Sequence, residues 1–220
     1  MSWIEIISAV LGLSCVFLAG RNSKYNFWVG YVYNVFLFVL FWRQHLYSAM
    51  LLQPVSFAIN AFGHWRWTHP REEERSAADG SRLKVGHITK EQWPALILIV
   101  CVVGAVWAMC LDWLPVKWPS VFQPDPSPWL DSYLLMLTLL AQYLSAQKCW
   151  ECWIVWLVVN AANIVLYITS GLYLMPIVSA LYLANGIWSL VSWNSCRRPA
   201  RRRNATLLSR VSVPLRPRRA

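Results

Sequence analysis

Residues 149–169 read Cys149-Trp-Glu-Cys-Trp-Ile-Val-Trp-Leu-Val-Val-Asn-Ala-Ala-Asn-Ile-Val-Leu-Tyr-Ile-Thr169, and their reading decides the fold class. The run is apolar and long enough to cross a bilayer as a helix, which takes about 20 residues at roughly 1.5 Å rise each. Four members interrupt the apolar pattern at regular intervals: Trp153, Trp156, Asn160 and Asn163 recur at i, i+3, i+7 and i+10, which is one helical face. Two indoles and two amides down one stripe make a poor surface for lipid and a good wall for a flat, polar ligand.

A second copy lies upstream. Residues 26–42 read Asn-Phe-Trp28-Val-Gly-Tyr31-Val-Tyr-Asn34-Val-Phe-Leu-Phe-Val-Leu-Phe-Trp42. A shift of 125 or 126 residues carries Trp28 onto Trp153, Tyr31 onto Trp156, Asn34 onto Asn160, Tyr47 onto Tyr173, Asn60 onto Asn185 and Trp67 onto Trp193. The chain reads as a duplicated three-helix unit, an internal symmetry typical of secondary transporters.

Composition agrees with a membrane protein. The chain has 220 residues, 57% of them hydrophobic, and 15 tryptophans, with a mean hydropathy of +0.40; soluble chains average roughly 45–50% apolar. The net charge of +10 does not mark a nucleic-acid partner, because nine of the twenty basic residues follow Trp193 and most others lie in two short loops. Topology explains that distribution better than a DNA footprint does. The six cysteines form no disulfide framework, since most sit in apolar runs where Cys behaves as a small hydrophobe. Cys149-x-x-Cys152 has redox or metal spacing but no accompanying second pair. The first residues, with Glu5 and no basic leader, do not read as a cleavable signal peptide.

Seven spans are expected, at about 3–20, 26–42, 46–65, 93–113, 131–147, 150–169 and 172–193. The organisation is a first three-helix repeat (3–67), a cytoplasmic loop (68–92), a linking transmembrane helix (93–114), a periplasmic loop (115–130), a second repeat (131–194) and a basic tail (195–220). Five prolines between 115 and 128 should stop any helix there. With the C-terminus inside, 18 of the 20 Lys and Arg residues are cytoplasmic, leaving only Arg43 and Lys117 outside. That bias places the N-terminus in the periplasm. The single linking span makes both triplets run the same way, an all-α polytopic membrane protein in a 3+1+3 arrangement with two parallel repeats.

Ionisable residues are missing at depth: spans 2, 6 and 7 hold none in their central turns, and span 5 offers only neutral groups such as Thr138 and Gln142. A driven pump ordinarily needs a buried charge, so a facilitator is favoured. Neutral polar groups do line up. Gln53, Ser56, Asn60, His64 and Trp67 share a face of span 3, Thr138, Gln142 and Ser145 a face of span 5, and Tyr182, Asn185, Trp188 and Ser189 a face of span 7. Any one of them is explained by an interhelical hydrogen bond worth about 0.6–2 kcal/mol. On four or more helices together, a shared polar cavity is the better account.

Pro54 and Pro176 fall in the first half of the third helix of each repeat. Matched proline-interrupted helices point to a gate, and static kinks are the alternative. Trp3, Trp42, Trp67, Trp93, Trp113, Trp129 and Trp193 lie near span ends and read as interfacial anchors. Trp28, Trp153, Trp156 and Trp188 share faces with Asn and are the ligand candidates, able to stack on an aromatic ring and to attract a cationic one. Arg71-Glu-Glu-Glu-Arg75 reads as a solvated loop, and the Arg-rich tail as a topogenic anchor.

Trp153-x-x-Trp156-x-x-x-Asn160, the related Trp28-x-x-Tyr31-x-x-Asn34, and the 3+1+3 layout resemble the PnuC family of bacterial vitamin B3 transporters, most closely its nicotinamide riboside type. The resemblance covers about residues 3–194. It implies kinship with the SWEET sugar transporters, a multi-pass place in the bacterial inner membrane, and facilitated diffusion of nicotinamide riboside. Uptake would be drawn inward by a separate cytoplasmic kinase that phosphorylates the substrate. No cofactor and no enzymatic activity are implied, and a homo-oligomer is left open. The cationic pyridinium suits indoles, while the carboxamide and ribose hydroxyls suit Asn and Gln. The expected site places Trp153, Trp156, Asn160, Asn163, Asn185 and Trp188 opposite Trp28, Asn34, Gln53, Asn60 and Gln142 at the midplane, with alternating access by rocking of the triplets.

Rival readings are a facilitator of another vitamin, a nucleoside or a sugar, a seven-span receptor, and a membrane enzyme or haem protein. A retinal receptor needs a Lys in its last span, and residues 172–193 have none. An enzyme needs buried acid–base residues and a haem needs ligands such as paired intramembrane histidines, which the spans lack.

Overall fold

Long runs of Leu, Ile, Val, Phe and Trp, broken by short charged or proline-bearing segments, fold into seven long helices in a computed structural model. It describes residues 3–43, 47–76, 79–120, 122, 124, 127–169 and 174–197; the repeat partner Tyr173 and the tail from 198 onward lie outside them. The helices are α1 (Trp3–Gly20), α2 (Tyr25–Arg43), α3 (Tyr47–Thr68), α4 (Gln92–Lys117), α5 (Pro128–Ala146), α6 (Cys152–Thr169) and α7 (Leu174–Arg197). Each matches an expected span, with ends displaced by a few residues.

One of the larger displacements is at α4, which runs through Pro115 to Lys117. A proline in the last turn disturbs only the final bonds, and the helix stops at Trp118 before Pro119. Pro128, by contrast, opens α5 at the start of its first turn, where its missing N–H costs nothing. Pro54 lies inside α3, whereas Pro176 falls in the first turn of α7. Of the two, Pro54 is the one that interrupts an established helix.

Six helices close into a ring. α1 packs on α2, α2 on α3, α3 on α5, α5 on α6, α6 on α7, and α7 back on α1, while α4 lies against α5. Contacts fix the directions: Cys15 meets Asn26 across α1 and α2, and Trp153 meets Trp193 across α6 and α7, so these neighbours are antiparallel. The ends of α3 and α5 meet through Trp67 and Ala146, and those of α1 and α7 through Gly20 and Trp193. The C-terminal ends of α1, α3, α5 and α7 therefore share one end of the bundle, the end that also carries Arg21, Lys24, Arg66 and Lys148.

Outward faces are apolar. On α4 the side chains of Ile97, Leu98, Ile99, Val102, Val103, Val106 and Met109 are all exposed, a surface that water would not tolerate but lipid would. By length and composition alone, α2 and α4 qualify as membrane spans. Among the described residues, Ile6–Gly20 of α1 and Cys152–Val165 of α6 are shorter apolar stretches.

The segment after α3 is solvated over Arg71–Arg75, where only Glu74 is partly buried, and docks beyond it. Glu72–Glu74 make a 3-10 turn, and Arg75–Ser76 and Asp79–Leu83 pair as a short antiparallel ribbon, β1 and β2. Both Glu74 oxygens accept hydrogen bonds of 2.6 Å from the Arg66 guanidinium. Leu83 and Ile88 are buried in the main hydrophobic cluster. Apolar side chains at 83, 85 and 88 give this charged stretch something to bury, so it docks.

Candidate functional site

The turns that end α1 and α5 are the same structure twice. Asn22 and Lys148 both take positive φ, 56° and 59°. Around Asn22 the amides of residues 21, 22 and 23 donate to the carbonyls of 17, 19 and 18. Around Lys148 those of 147, 148 and 149 donate to 143, 145 and 144. Every donor and acceptor is displaced by 126, and the pattern is the left-handed C-cap that usually recruits Gly or Asn. Lys148 is the anomaly among these. Its ammonium donates to the Leu83 carbonyl at 2.7 Å and lies 4.5 Å over the Trp67 ring, so tertiary contacts hold the conformation.

Above these turns the bundle is plugged by aromatics. The Trp67 indole N–H donates to the carbonyls of Ser145 and Ala146 at 3.2 Å, and that of Trp193 donates to Gly20 at 3.0 Å. Phe27 meets Trp67 edge-on at 5.0 Å, Trp153 meets Trp193 edge-on at 5.5 Å, and Trp67 and Trp193 meet each other at 5.9 Å. Close approach is possible because the crossings carry small residues. A side-chain carbon on Gly63 would touch Ala146, and one on Gly20 would touch Ser189.

This plug revises three expectations. Trp67 and Trp193 are buried at the helix crossings instead of anchoring at an interface. Trp153 is only 2% exposed, so no ligand can stack on it while this end is packed. Its partner in the repeat is Phe27, not Trp28, because the contacts obey a uniform shift of 126. Identity of residue type suggested 125; burial selects the neighbour.

Farther from the plug lie buried neutral polar residues: Ser8 on α1, Asn34 on α2, Gln53 and Ser56 on α3, Asn160 on α6 and Ser179 on α7. Asn34 and Asn160 are 126 apart, and so are Gln53 and Ser179. The Asn160 amide donates to the Trp156 carbonyl one turn back, at 2.7 Å. The Ser8 hydroxyl has no partner among the described residues. Ser8 and Ser179 are additions to the sequence expectation; the shift from Gln53 would have found Ser179.

The remaining expected residues are spread more widely. The Asn60 amide donates to the Phe27 carbonyl at 3.1 Å and lies over Gly30, tying α3 to α2. Asn185 donates to the Val16 carbonyl at 3.2 Å, tying α7 to α1. Trp156, Asn163 and Gln142 are partly buried. Trp28 and Trp188 are exposed; Trp28 meets His64 edge-on and Trp188 stacks on Phe17. His64 is enclosed further by Phe27 and accepts or donates a 3.1 Å bond with the Tyr31 hydroxyl. No group of three metal-ligating side chains occurs among the described residues.

Comparison with known proteins places this geometry. A family model described as nicotinamide mononucleotide transporter matches residues 2–195. The nicotinamide riboside transporter PnuC of Escherichia coli is 30% identical over 199 residues, covering 80% of this chain and 79% of that protein. The riboflavin/roseoflavin transporter RibM of Streptomyces davaonensis is 27% identical, covering 87% and 84%. A crystal structure of the vitamin B3 transporter PnuC superposes with a TM-score of 0.66 at 21% identity, covering 89% of this chain and 82% of that one.

Proposed function

Because the chain belongs to the nicotinamide mononucleotide transporter family, a family of membrane transporters, we propose that it carries nicotinamide riboside across the bacterial inner membrane by facilitated diffusion. The observation that carries the reading is the pair of buried amides, Asn34 and Asn160, at repeat-equivalent positions in the middle of α2 and α6. Two amides related by a pseudo-twofold axis can address the carboxamide and ribose of one ligand from opposite sides. Gln53, Gln142 and Asn163, with Ser8 and Ser179, complete the polar set, and Trp156 supplies the stacking face for the pyridinium. Asn60, Asn185, Trp28 and Trp188 form its rim. Trp153 serves closure of the basic end.

Physical chemistry separates the riboside from its phosphorylated form. A mononucleotide carries a phosphate, which calls for Lys or Arg at depth. The central turns of α2, α3, α5, α6 and α7 hold no such cation. The riboside brings a single delocalised positive charge that aromatic faces can satisfy. Phosphorylation by a separate cytoplasmic kinase would then trap it and draw uptake inward, without any ion coupling or chemistry in the transporter itself. Riboflavin is the second reading, favoured by the likeness to RibM, and its large neutral ring system would use the same indole and amides.

Architecture and orientation follow from the same reading. The closed contact ring supports two parallel triplets, 3–67 and 131–194, joined by the linking helix, in the SWEET-like 3+1+3 arrangement. Their rocking gives alternating access, with Pro54 and Pro176 as flexing points. The basic end is cytoplasmic by its Lys and Arg excess, leaving the N-terminus periplasmic; the 68–92 segment and the basic tail from 195 lie inside, and 115–130 outside.

Titration calorimetry on purified detergent-solubilised protein tests the substrate. Nicotinamide riboside should bind, while nicotinamide and thiamine should not. Asn34→Ala and Asn160→Ala should each weaken binding by about tenfold or more, the loss expected for a buried hydrogen-bond partner of about 1.4 kcal/mol or more. Unchanged affinity in both variants would sink the site, and heat with riboflavin alone would turn the assignment to the second reading.

A further inference from the structure

The inner face of α1 is built from small residues. Trp3, Ile6, Ile7, Val10 and Phe17 are exposed on its outer side, while Ile4, Ser8, Gly12 and Ala19 are buried. Ser8 and Gly12 lie one turn apart on that buried face. The gap at Gly12 is filled from both neighbouring helices. A side-chain carbon there would touch the Tyr182 hydroxyl of α7, and also the Tyr33 ring and hydroxyl of α2 at 3.1 and 3.2 Å. Two phenol oxygens thus reach one spot. The Ser8 hydroxyl one turn away is 4% exposed and has no partner among the described residues. A buried hydroxyl in that state is destabilising, and a hydroxyl on a ligand would relieve it.

The same place in the other half is built differently, and every residue concerned is described. The shift of 126 carries Ser8 onto Leu134, Gly12 onto Thr138 and Tyr33 onto Val159, and takes Tyr182 back to Ser56. Leu134 and Val159 are buried and apolar. The Thr138 hydroxyl donates to the Leu134 carbonyl of its own helix at 2.8 Å. Stacking is one-sided in the opposite sense, because the counterpart of Trp156 on α6 is Gly30 on α2, beneath the Asn60 amide. Around the ring α2 stands three places from α6, so the phenol side and the indole side face each other across the axis. The matched amides Asn34 and Asn160 give a ligand no direction; these unmatched residues do.

We infer that Ser8, Tyr33 and Tyr182 form a hydroxyl wall that takes the vicinal diol of a sugar or sugar alcohol, whose flat heterocycle lies against Trp156. Two neighbouring phenols meet two neighbouring hydroxyls of the ligand. Each phenol both donates and accepts, so a bond it makes within the protein leaves capacity for the ligand. The inference rests on the transporter reading. It adds the direction in which the ligand lies and a requirement for its ribose or ribityl portion.

Titration calorimetry with nicotinamide riboside and its 2′,3′-dideoxy analogue tests the wall, on wild type, Tyr33→Phe, Tyr182→Phe and Ser8→Ala. Each phenol variant should weaken riboside binding about fivefold to tenfold, the loss of one neutral hydrogen bond. The analogue's affinity should stay at its wild-type value. Ser8→Ala should weaken the riboside alike, while the melting point of the empty protein holds or rises. Riboside affinity unchanged in both phenol variants overturns the wall. Equal losses for riboside and analogue overturn it too, since they mark a packing role. Should the phenol variants fail to fold, Ser8→Ala decides: a lowered melting point with unchanged riboside affinity overturns the wall. If wild type takes riboflavin in place of the riboside, the same comparison is made with riboflavin and lumiflavin, which lacks the ribityl chain. Losses confined to riboflavin then uphold the wall while the riboside assignment falls. Protein that binds neither riboside nor riboflavin overturns the substrate reading and the wall with it.

Discussion

Trp67 and Trp193 stand 126 residues apart and do the same thing: each gives its indole N–H to the last turn of a helix in the other half, at Ala146 and Gly20. Those acceptors are also 126 apart. Each indole is thus a crossing bond between the triplets, buried where the helices approach most closely.

Removing either bond should cost the same. Trp67→Phe takes a donor shared by the Ser145 and Ala146 carbonyls, and Trp193→Phe takes the donor of Gly20; each also leaves a small void, a loss of about 1–3 kcal/mol. Thermal unfolding in detergent should show two similar decreases in midpoint. A large decrease for one variant and none for the other would show that the crossings are not equivalent.

The Gly30–Asn60 contact leaves no room for a side chain, because an added carbon would lie on the Asn60 amide. Gly30→Ala should displace that amide from the Phe27 carbonyl and destabilise the protein by about 1–3 kcal/mol. Circular dichroism melts would read it. Asn60→Ala combined with Gly30→Ala should recover part of the loss.

The Arg66 guanidinium beside Glu74 pulls its carboxyl down from 4.5 to about 2. Since the folded value is the lower one, the pair contributes fully above pH 4.5 and loses its contribution as pH falls from there toward about 2. Wild type should therefore melt above Glu74→Gln by the same margin at pH 7 and pH 5, and the margin should shrink by pH 3. A margin that already vanishes at pH 5 would contradict the pairing.

Burial, followed by the nearby Glu151 carboxylate, pushes the Cys149 thiol up to about 11. A thiol of that acidity is almost wholly protonated at neutral pH and reacts slowly. In protein whose other cysteines are alanine, alkylation by iodoacetamide at pH 7.5 should run roughly 100-fold below a thiol at the ordinary value of 9.0. The rate should climb about tenfold per pH unit up to roughly 11. Fast reaction at pH 7.5 would mean that the segment after α3 is not seated against the α5–α6 turn.

The number of helices was legible in the sequence because apolar run length carries it. The duplication was legible because the large residues recur. Its register was not fully legible: Trp28 and Trp153 are alike in type, yet Phe27 occupies the buried position that Trp153 fills in the second copy. Choosing between neighbours one residue apart requires knowing which one meets Trp67 or Trp193, a tertiary fact. Those two indoles were misread because a Trp near a span end fits the interfacial pattern equally well. The small residues Gly63, Ala146, Gly20 and Ser189, spaced to let helices cross, were the available signal. The docking of the segment after α3 was hidden by its charges, although Leu83, Val85 and Ile88 already offered a buriable edge. Buried Asn34, Gln53 and Asn160 came from the helical stripes; Ser179 was reachable only through the 126 shift from Gln53, and Ser8 belongs to no stripe.

The uniform shift has a consequence for how this chain tolerates changes of length. From Leu18 to Trp67 and from Leu144 to Trp193 the two copies hold the same number of residues. One residue inserted within a helix turns everything beyond it by about 100° and advances it about 1.5 Å. That would carry an indole past its carbonyl. Insertions inside either copy should thus be lost from functional libraries, while those at 118–127, outside the ring of six helices, should survive. That stretch is where a reporter domain belongs.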